Sequence, residues 1–412
     1  RQMPTKINLR SPFFIKAQPA NGTMSKAVLS LFVYKGTFTT DKGSALYTVE
    51  KTPLTGNNFV VFEISELARD YLDIEFDGDY ESQSGTEIDP VRWVEADIVI
   101  TKTDSSTENS NTDYVAFDGY GYFEEGVNPE LSRTLLQSNK SILRINDFNT
   151  RIPVFTEDTN SVSFLYNGET VKTFSIADSS SFPSTNTNAQ IKYVNIFDTD
   201  DDDNYRQRVL ADGGTFEENS LLDSFLNSID VGVFDTVFIN SSSGTEVLTV
   251  DKRTIPSSAS AGCFTNDFEG NDKFENIKIT FVNKFGALQD MFFTFKSVES
   301  TNVESRNFKR SIFNESELKY NKHQHQNNLF HVNATDRISL STGFLNEEYN
   351  KVIEELMVSE QHWMTRVTDT EEQIIPVMPV TKSVTYRTSA NDRLIQYTIE
   401  FDMAFNKINN IR

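Results

Sequence analysis

Residues Lys26–Tyr34 read KAVLSLFVY, with Ala27, Leu29, Leu31 and Val33 at every second position. A period of two puts all four on one face of an extended chain, so the segment predicts a strand with one face in a core. Similar signals continue outward from it. Gly36 and Asp41–Gly43 read as turns, Ala45–Lys51 as a second strand and Asn58–Ile64 (NFVVFEI) as a third. Ser65 is placed to cap a short helix, Glu66–Leu72, because its hydroxyl can accept an early backbone N–H. Val91–Thr101 (VRWVEADIVIT) is a further strand with Trp93 in the core. Ser105–Thr112 reads as a polar hairpin loop and Asp113–Asp118 as the return strand.

The pattern persists beyond this stretch. Asp118–Pro129 (DGYGYFEEGVNP) is a loop dense in glycine and aromatics, leading to a helix expected at Pro129–Ser138 with proline in its first turn. Ser141–Ile145 and Arg151–Phe155 are extended. Ser161–Tyr166 and Glu169–Ile176 flank Asn167-Gly168, a pair suited to the positive φ angles of a type I′ hairpin turn. Further strands are expected at Ile191–Phe197, Val231–Asn240, Thr245–Val250, Asn276–Val282 and Met291–Lys296. Thr301–Asn321 is charged and reads as a connecting strand or arm, with another extended stretch at Arg337–Thr342. Asn346–Met364 carries Tyr349, Val352, Ile353, Leu356, Met357 and Trp363 at three- and four-residue steps, an amphipathic helix that Thr342 or Asn346 would cap. Ile374–Val380 holds Pro376 and Pro379 and is read as an edge strand at most. Ser383–Thr388 and Leu394–Phe405 are expected to pair around Ser389–Arg393. The fold class is therefore mainly β: two β-sandwich-like domains, 1–125 and 126–299, then a small α+β module, 300–412.

Composition narrows the function. Of 412 residues, 38 are Lys or Arg and 60 are Asp or Glu, a formal charge of −22. Such an acidic chain argues against nucleic acid and anionic membranes, which require clustered cations. The 33 Phe and 14 Tyr can fill cores despite a hydrophobic fraction of 37%. The single Cys263 excludes an intrachain disulfide and a Cys-rich zinc site. No run of 18 apolar residues would span a membrane. The first residue is Arg1, and no signal peptide is visible, although one removed earlier would leave no trace. Four His, one Cys and two Trp leave little catalytic chemistry. No G-x-S-x-G elbow, P-loop or dinucleotide fingerprint is present, and a pair such as Glu124-Glu125 is expected by chance among so many acids. No enzyme activity and no cofactor are expected.

Five constellations merit weighing. His323 and His325, with His331 beyond, would face one side of a strand and could share a zinc or iron ion, while a solvated polar loop (NKHQHQNN) is the plainer account. Asp198, Asp200 and Asp202, with Asn204, begin like a calcium loop, but Asp203 stands where glycine belongs and Val209 where glutamate does. Cys263 lies in SSASAGCF with no basic neighbour, which suits a structural thiol. Tyr120, Tyr122 and Phe123, set between glycines, would either stack on a sugar or partner or plug one end of the first sandwich. Arg306, Phe308, Lys309 and Arg310 (in RNFKR) form a cationic island that, with the arm Thr301–Asn321, reads either as the best partner-contact segment or as a plain surface-exposed loop.

Several segments resemble virion proteins of tailed bacteriophages, of the marine and Bacteroidetes type: Leu340–Phe344 (LSTGF), the helix running to Trp363, Ile375–Val380 and Asn391–Phe401 in the C-terminal region. Ser11-Pro12-Phe13-Phe14, Phe62–Tyr71 (FEISELARDY) and Phe117–Val127 (FDGYGYFEEGV) resemble them as well. The resemblance implies a structural component of the tail, baseplate or neck, located in the virion, oligomeric and partnered by other virion proteins. It carries over no catalytic residue. The rival expectation is a surface adhesin or carbohydrate-binding protein, calcium-dependent if the acidic loop holds an ion.

Overall fold

The period-two segment lies inside an eleven-residue interior strand of the chain's N-terminal sheet. The computed structural model describes residues 5–35, 38, 41–72, 74, 76–78, 91–131, 133–143, 151–155, 159–166, 168–175, 191–195, 236–241, 244–251, 274–367, 372–386 and 395–408. The chain divides into two units. One comprises Arg1–Phe268, Thr280–Met291 and Glu348–Glu360, and the other Glu269–Ile279, Phe292–Glu347 and Gln361–Arg412. The architecture is mainly β and β-sandwich-like, as the alternation predicts.

The first unit opens with β1 (Thr5–Asn8), β2 (Phe14–Ala17), β3 (Met24–Tyr34), β4 (Tyr47–Lys51), β5 (Val60–Glu63), β6 (Val91–Lys102) and β7 (Thr107–Phe117). Five of these form a sheet in the order β1-β7-β6-β3-β4, antiparallel except for β1 against β7. Register explains its core. Ala27, Leu29, Leu31 and Val33 of β3 sit opposite Ile100, Ile98, Ala96 and Val94 of β6, and all eight are buried. Over this face lies the β2–β5 ribbon, which contributes Ile15, Ala17, Val60 and Phe62 to the same apolar cluster.

Two details differ from expectation here. The hairpin loop is shorter than its polarity suggests, because β7 starts at Thr107 and pairs at once with Thr101. Only Thr103–Ser106 turns, with Ser105 at φ 67 and Asp104 Oδ1 accepting the Ser106 N–H at 2.9 Å. Polar side chains in β7 report exposure to water, while the backbone ladder is indifferent to them. The helix α1 (Ser65–Arg69) is capped by Ile64 without a side-chain bond. Ser65 is its first residue, and Glu63 Oε1 accepts the Ser65 N–H at 2.9 Å.

A second core in the same unit repeats the arrangement. It uses β8 (Ser141–Leu143), β9 (Arg151–Phe155), β10 (Thr159–Tyr166), β11 (Glu169–Ser175), β12 (Ile191–Asn195), β13 (Thr236–Ser241) and β14 (Gly244–Asp251). The sheet order is β11-β10-β13-β14-β8, and the β9–β12 ribbon shares its apolar cluster through Ile152, Val154 and Val194. The expected hairpin joins β10 to β11, with Gly168 at φ +82; Asn167 is outside the described residues.

The helix expected at Pro129–Ser138 does not form among the described residues. Leu135 bridges Val154, the Leu136 N–H donates to Pro153 O at 3.0 Å, and the Phe155 N–H donates to Thr134 O at 3.1 Å. Leu135 and Leu136 are both fully buried, so covering two sides of an extended chain outweighs the proline signal.

The strands β15 (Ile277–Val282) and β16 (Leu288–Phe293) contribute residues to both units. A second helix, α2 (Tyr349–Val358), belongs to the first unit and buries Tyr349, Val352, Ile353 and Leu356. It is shorter than the expected Asn346–Met364. Its cap is Glu348, without a side-chain bond, and Ser359 turns extended at ψ 145. Trp363 lies in a strand instead, where His362 and Met364 are buried at a period of two.

The second unit holds β17 (Val298–Lys309), β18 (Phe313–Asn314), β19 (Lys319–Tyr320), β20 (Asn327–Ser341), β21 (His362–Val367), β22 (Glu372–Pro379) and β23 (Thr398–Met403). Its sheet runs β21-β22-β23-β20-β17. Ile395, Tyr397, Ile399 and Phe401 are buried at alternate positions, Met403 at the next such position is half-buried, and Phe401 meets Phe293 edge-on at 6.1 Å. The partners of β23 are β20 and β22, and the described residues of the expected strand Ser383–Thr388 form none.

β22 is an interior strand, contrary to the edge position its prolines suggest. Pro376 O accepts the Ala404 N–H at 2.9 Å, so its ring nitrogen faces β23 beyond the last paired residue, Met403. Pro379 faces the other way, past the start of β21 at His362. Both missing donors fall at ladder ends, where they cost little.

Candidate functional site

The aromatic loop lies within the first unit and lines one wall of a pocket of about 390 Å³. Three tethers fix its course as it leaves β7. The Arg10 N–H donates to Gly119 O at 3.0 Å, the Tyr120 N–H to Lys284 O at 2.9 Å, and the Gly121 N–H to Ser11 Oγ at 2.8 Å. Asn128 closes the loop by accepting the Asn8 N–H at 3.0 Å and donating from Nδ2 to Asn8 O at 2.7 Å. The opposite wall is the β15–β16 turn. Gly286 there has φ +76, and a Cβ on it would lie 2.7 Å from the Asp118 carbonyl carbon, so the close approach requires glycine. Asn283, fully buried, holds the turn, its Oδ1 accepting the Phe285 and Ala287 N–H groups at 2.9 and 3.1 Å.

The three sequence-expected aromatics part company. Tyr120 is 8% exposed and meets Tyr122 edge-on at 5.7 Å, with the Arg10 guanidinium 4.9 Å above its ring. Tyr122 is half-buried beneath the Lys284 ammonium, 4.5 Å from its centroid. Phe123 points away, 99% exposed, and is no part of the pocket lining. Burial pushes the Tyr120 hydroxyl up to about 12, reinforced by the nearby Glu355. Burial also works against charge on Glu125, yet Lys284 and the Tyr122 N–H hold that carboxyl below its usual range.

The most buried acid lining the pocket is Glu355, 1% exposed on α2. Burial pushes its carboxyl up to about 7, against two donors: the Ser138 hydroxyl, which donates to Oε1, and the Lys284 N–H, which donates to Oε2 at 3.3 Å. Sequence reading missed Glu355, Lys284 and Asn8, which come from separate stretches of chain. One signal existed: Glu355 lies three residues after Val352 and two after Ile353, beside Leu356 on the helix's apolar stripe, where an acid is out of place.

The cationic island lies elsewhere, in the second unit, on an arm. All twelve residues of β17 are exposed, and it pairs with β20 from Val298↔Ser339 to Lys309↔Asn327. β23 flanks β20 only over Arg337–Ser341. Farther out, the C-terminal segment meets β20 where the Lys407 N–H donates to Ala334 O at 2.8 Å and Asn333 Nδ2 donates to Asn406 Oδ1 at 3.0 Å. From there the hairpin continues as a two-stranded ribbon to the small β18–β19 pair. Val303, Phe308, Leu329, Phe330, Leu318 and Tyr320 are exposed along it. Arg306 pairs with His331 across a bulge, Phe308 meets Phe330 at 6.1 Å, and the Arg310 guanidinium donates to His325 O at 3.1 Å.

His323 and His325 sit in the turn before β20, both exposed, so the strand alternation that would aim them together does not apply. His331 lies in β20 itself. Among the described residues, no group of three or more His, Cys, Asp or Glu is set to hold a metal ion. Asp198, Asp200, Asp202 and Cys263 lie outside the described residues. No described helix is long and apolar enough to cross a membrane. Comparison with protein-family models, with curated proteins and with solved structures found no match.

Proposed function

We propose that this protein is a structural, non-catalytic subunit of a larger particle, of the kind found in the tail, baseplate or neck of a tailed-phage virion. It works by binding further copies of itself and neighbouring virion proteins. The observation that carries the reading is the arm formed by β17 and β20. An isolated two-stranded ribbon is marginally stable in water, and an exposed strand edge is a template for another chain. Here the ribbon extends beyond its sheet and presents apolar side chains at Val303, Phe308, Leu329 and Phe330. Those features suit a segment completed by a neighbouring subunit. Arg306, Lys309 and Arg310 on the same arm suit an acidic partner surface, and the chain itself carries −22. The phage assignment rests on the sequence resemblance; the assembly role rests on the arm.

Light scattering of the full chain tests this reading, with a variant carrying Val303→Ser, Phe308→Ser, Leu329→Ser and Phe330→Ser alongside. All four positions are exposed, so the fold is expected to survive. The expected result is a discrete oligomer for the native chain and a smaller species for the variant. A native chain that stays monomeric at every concentration, or a variant with unchanged mass, overturns it.

A further inference from the structure

The arm has a free edge whose backbone groups can be assigned. Among the described residues, β17 has β20 on one side and no strand on the other. Hydrogen bonds at both ends of the hairpin fix which groups face outward. At the tip, the Arg310 N–H donates to Gln326 O at 2.8 Å, so even-numbered residues of β17 turn their backbone toward β20. At the base, the Thr342 N–H donates to Tyr397 O at 3.0 Å, so odd-numbered residues at that end of β20 face β17. One of them, Ser339, pairs with Val298, again an even position of β17. The bulge between the two ends keeps this alternation, because its extra residue, Phe330, belongs to β20. Thr301, Val303, Ser305, Asn307 and Lys309 therefore present N–H and C=O groups to the free edge, a template for another strand.

Charge selects the strand that fits. Glu304 and Arg306 are exposed, and neither side chain has a hydrogen-bond or ion-pair partner among the described residues. Two copies of β17 laid antiparallel must set odd residues opposite odd ones, so that outward N–H and C=O groups meet. The pair is then symmetric about a single residue. A centre at Glu304 sets Glu304 against itself, and a centre at Arg306 sets Arg306 against itself. A centre at Val303 leaves both facing uncharged residues, Asn302 and Ser300. A centre at Asn307 opposes Glu304 to Arg310 but pairs only residues 305–309 of the strand. A centre at Ser305 pairs residues 301–309 and places Glu304 opposite the partner's Arg306, twice over by symmetry. Both pairs fall at non-hydrogen-bonded positions, where facing side chains come closest.

We propose that β17 pairs edge to edge with β17 of a second copy of this chain, antiparallel about Ser305, with Glu304 of each copy against Arg306 of the other. This rests on the assembly reading above and names the contact by which two copies join. Its test is analytical ultracentrifugation of the full chain carrying Glu304→Arg, Arg306→Glu or both, together with disulfide trapping of Ser305→Cys and Ser300→Cys in a Cys263→Ser background. The four substituted positions of β17 are exposed, so the fold is expected to survive. Each single reversal sets like charges opposite at both symmetric positions and should weaken dimerisation about tenfold. The double variant restores opposite charges and should return to within about threefold of the native chain. Ser305 would meet its counterpart at about 5.5 Å between Cα atoms, within disulfide reach, whereas Ser300 would lie roughly 34 Å from its own. Only Ser305→Cys should therefore cross-link. A double variant as weak as the singles, or Ser305→Cys cross-linking no faster than Ser300→Cys, overturns this contact. The assembly reading outlives that result if the native chain still forms oligomers that the four serine substitutions break. A native chain that is monomeric at every concentration overturns both.

Discussion

Replacing Glu355 by glutamine should make the first unit more stable at pH 8 and leave it nearly unchanged at pH 4.5. The ordinary carboxyl value is 4.5, and burial in the folded chain moves this one to about 7. Between those two values the folded chain holds a proton that the unfolded chain has released. Stability therefore falls as pH rises through that window and levels off above it. At about 1.4 kcal/mol per pH unit, the loss amounts to roughly 3 kcal/mol. Glutamine reproduces the protonated acid: its oxygen can accept the Lys284 N–H, and its amide can donate to Ser138 Oγ. Other carboxylates titrate in both proteins and cancel in the difference. Urea denaturation would be run at both pH values in a Trp363→Phe background, so that the buried Trp93 reports the first unit. The expected advantage of the variant is roughly 3 kcal/mol at pH 8 and under about 1 kcal/mol at pH 4.5. An advantage equal at the two pH values would refute the reasoning.

Two further predictions concern the turn that faces the aromatic loop. Asn283→Ala removes bonds to Leu136 O, Gln289 Oε1 and two backbone N–H groups, all buried. It should cost about 3–4 kcal/mol by denaturation, and a loss below about 1 kcal/mol would contradict that count. Gly286→Ala must place a Cβ against Asp118 at a positive φ. It should lower stability by about 2 kcal/mol or more and alter Tyr122 fluorescence or ring NMR signals, whereas an unperturbed loop would show that the contact yields easily.

Much of the strand content was legible. Lys26–Tyr34 and Val91–Thr101 alternate because one face of each is buried, and a half-buried sheet is the arrangement that writes a period of two into a sequence. The readings that failed share a cause. Polar Thr107–Thr112 pairs as a strand, Pro129–Ser138 is extended, and Pro376 and Pro379 occupy an interior strand. In each case local composition described side chains, while the outcome depended on where backbone donors and acceptors found partners. The cationic island was readable as an exposed, charged segment. Its position on a ribbon that extends beyond its sheet was not, because that depends on where β23 stops.

The sequence by itself determined the mainly β class, the principal apolar faces, the hairpin at Gly168 and the acidic surface charge, all of which follow from residue type and nearest-neighbour spacing. Only the tertiary structure decided the pocket. Asn8, Tyr120, Lys284 and Glu355 lie far apart along the chain and meet through the tethers at Ser11, Asn128 and Asn283. Burial that shifts Glu355 and the Tyr120 hydroxyl is a property of what surrounds a group in space, which one-dimensional spacing does not encode.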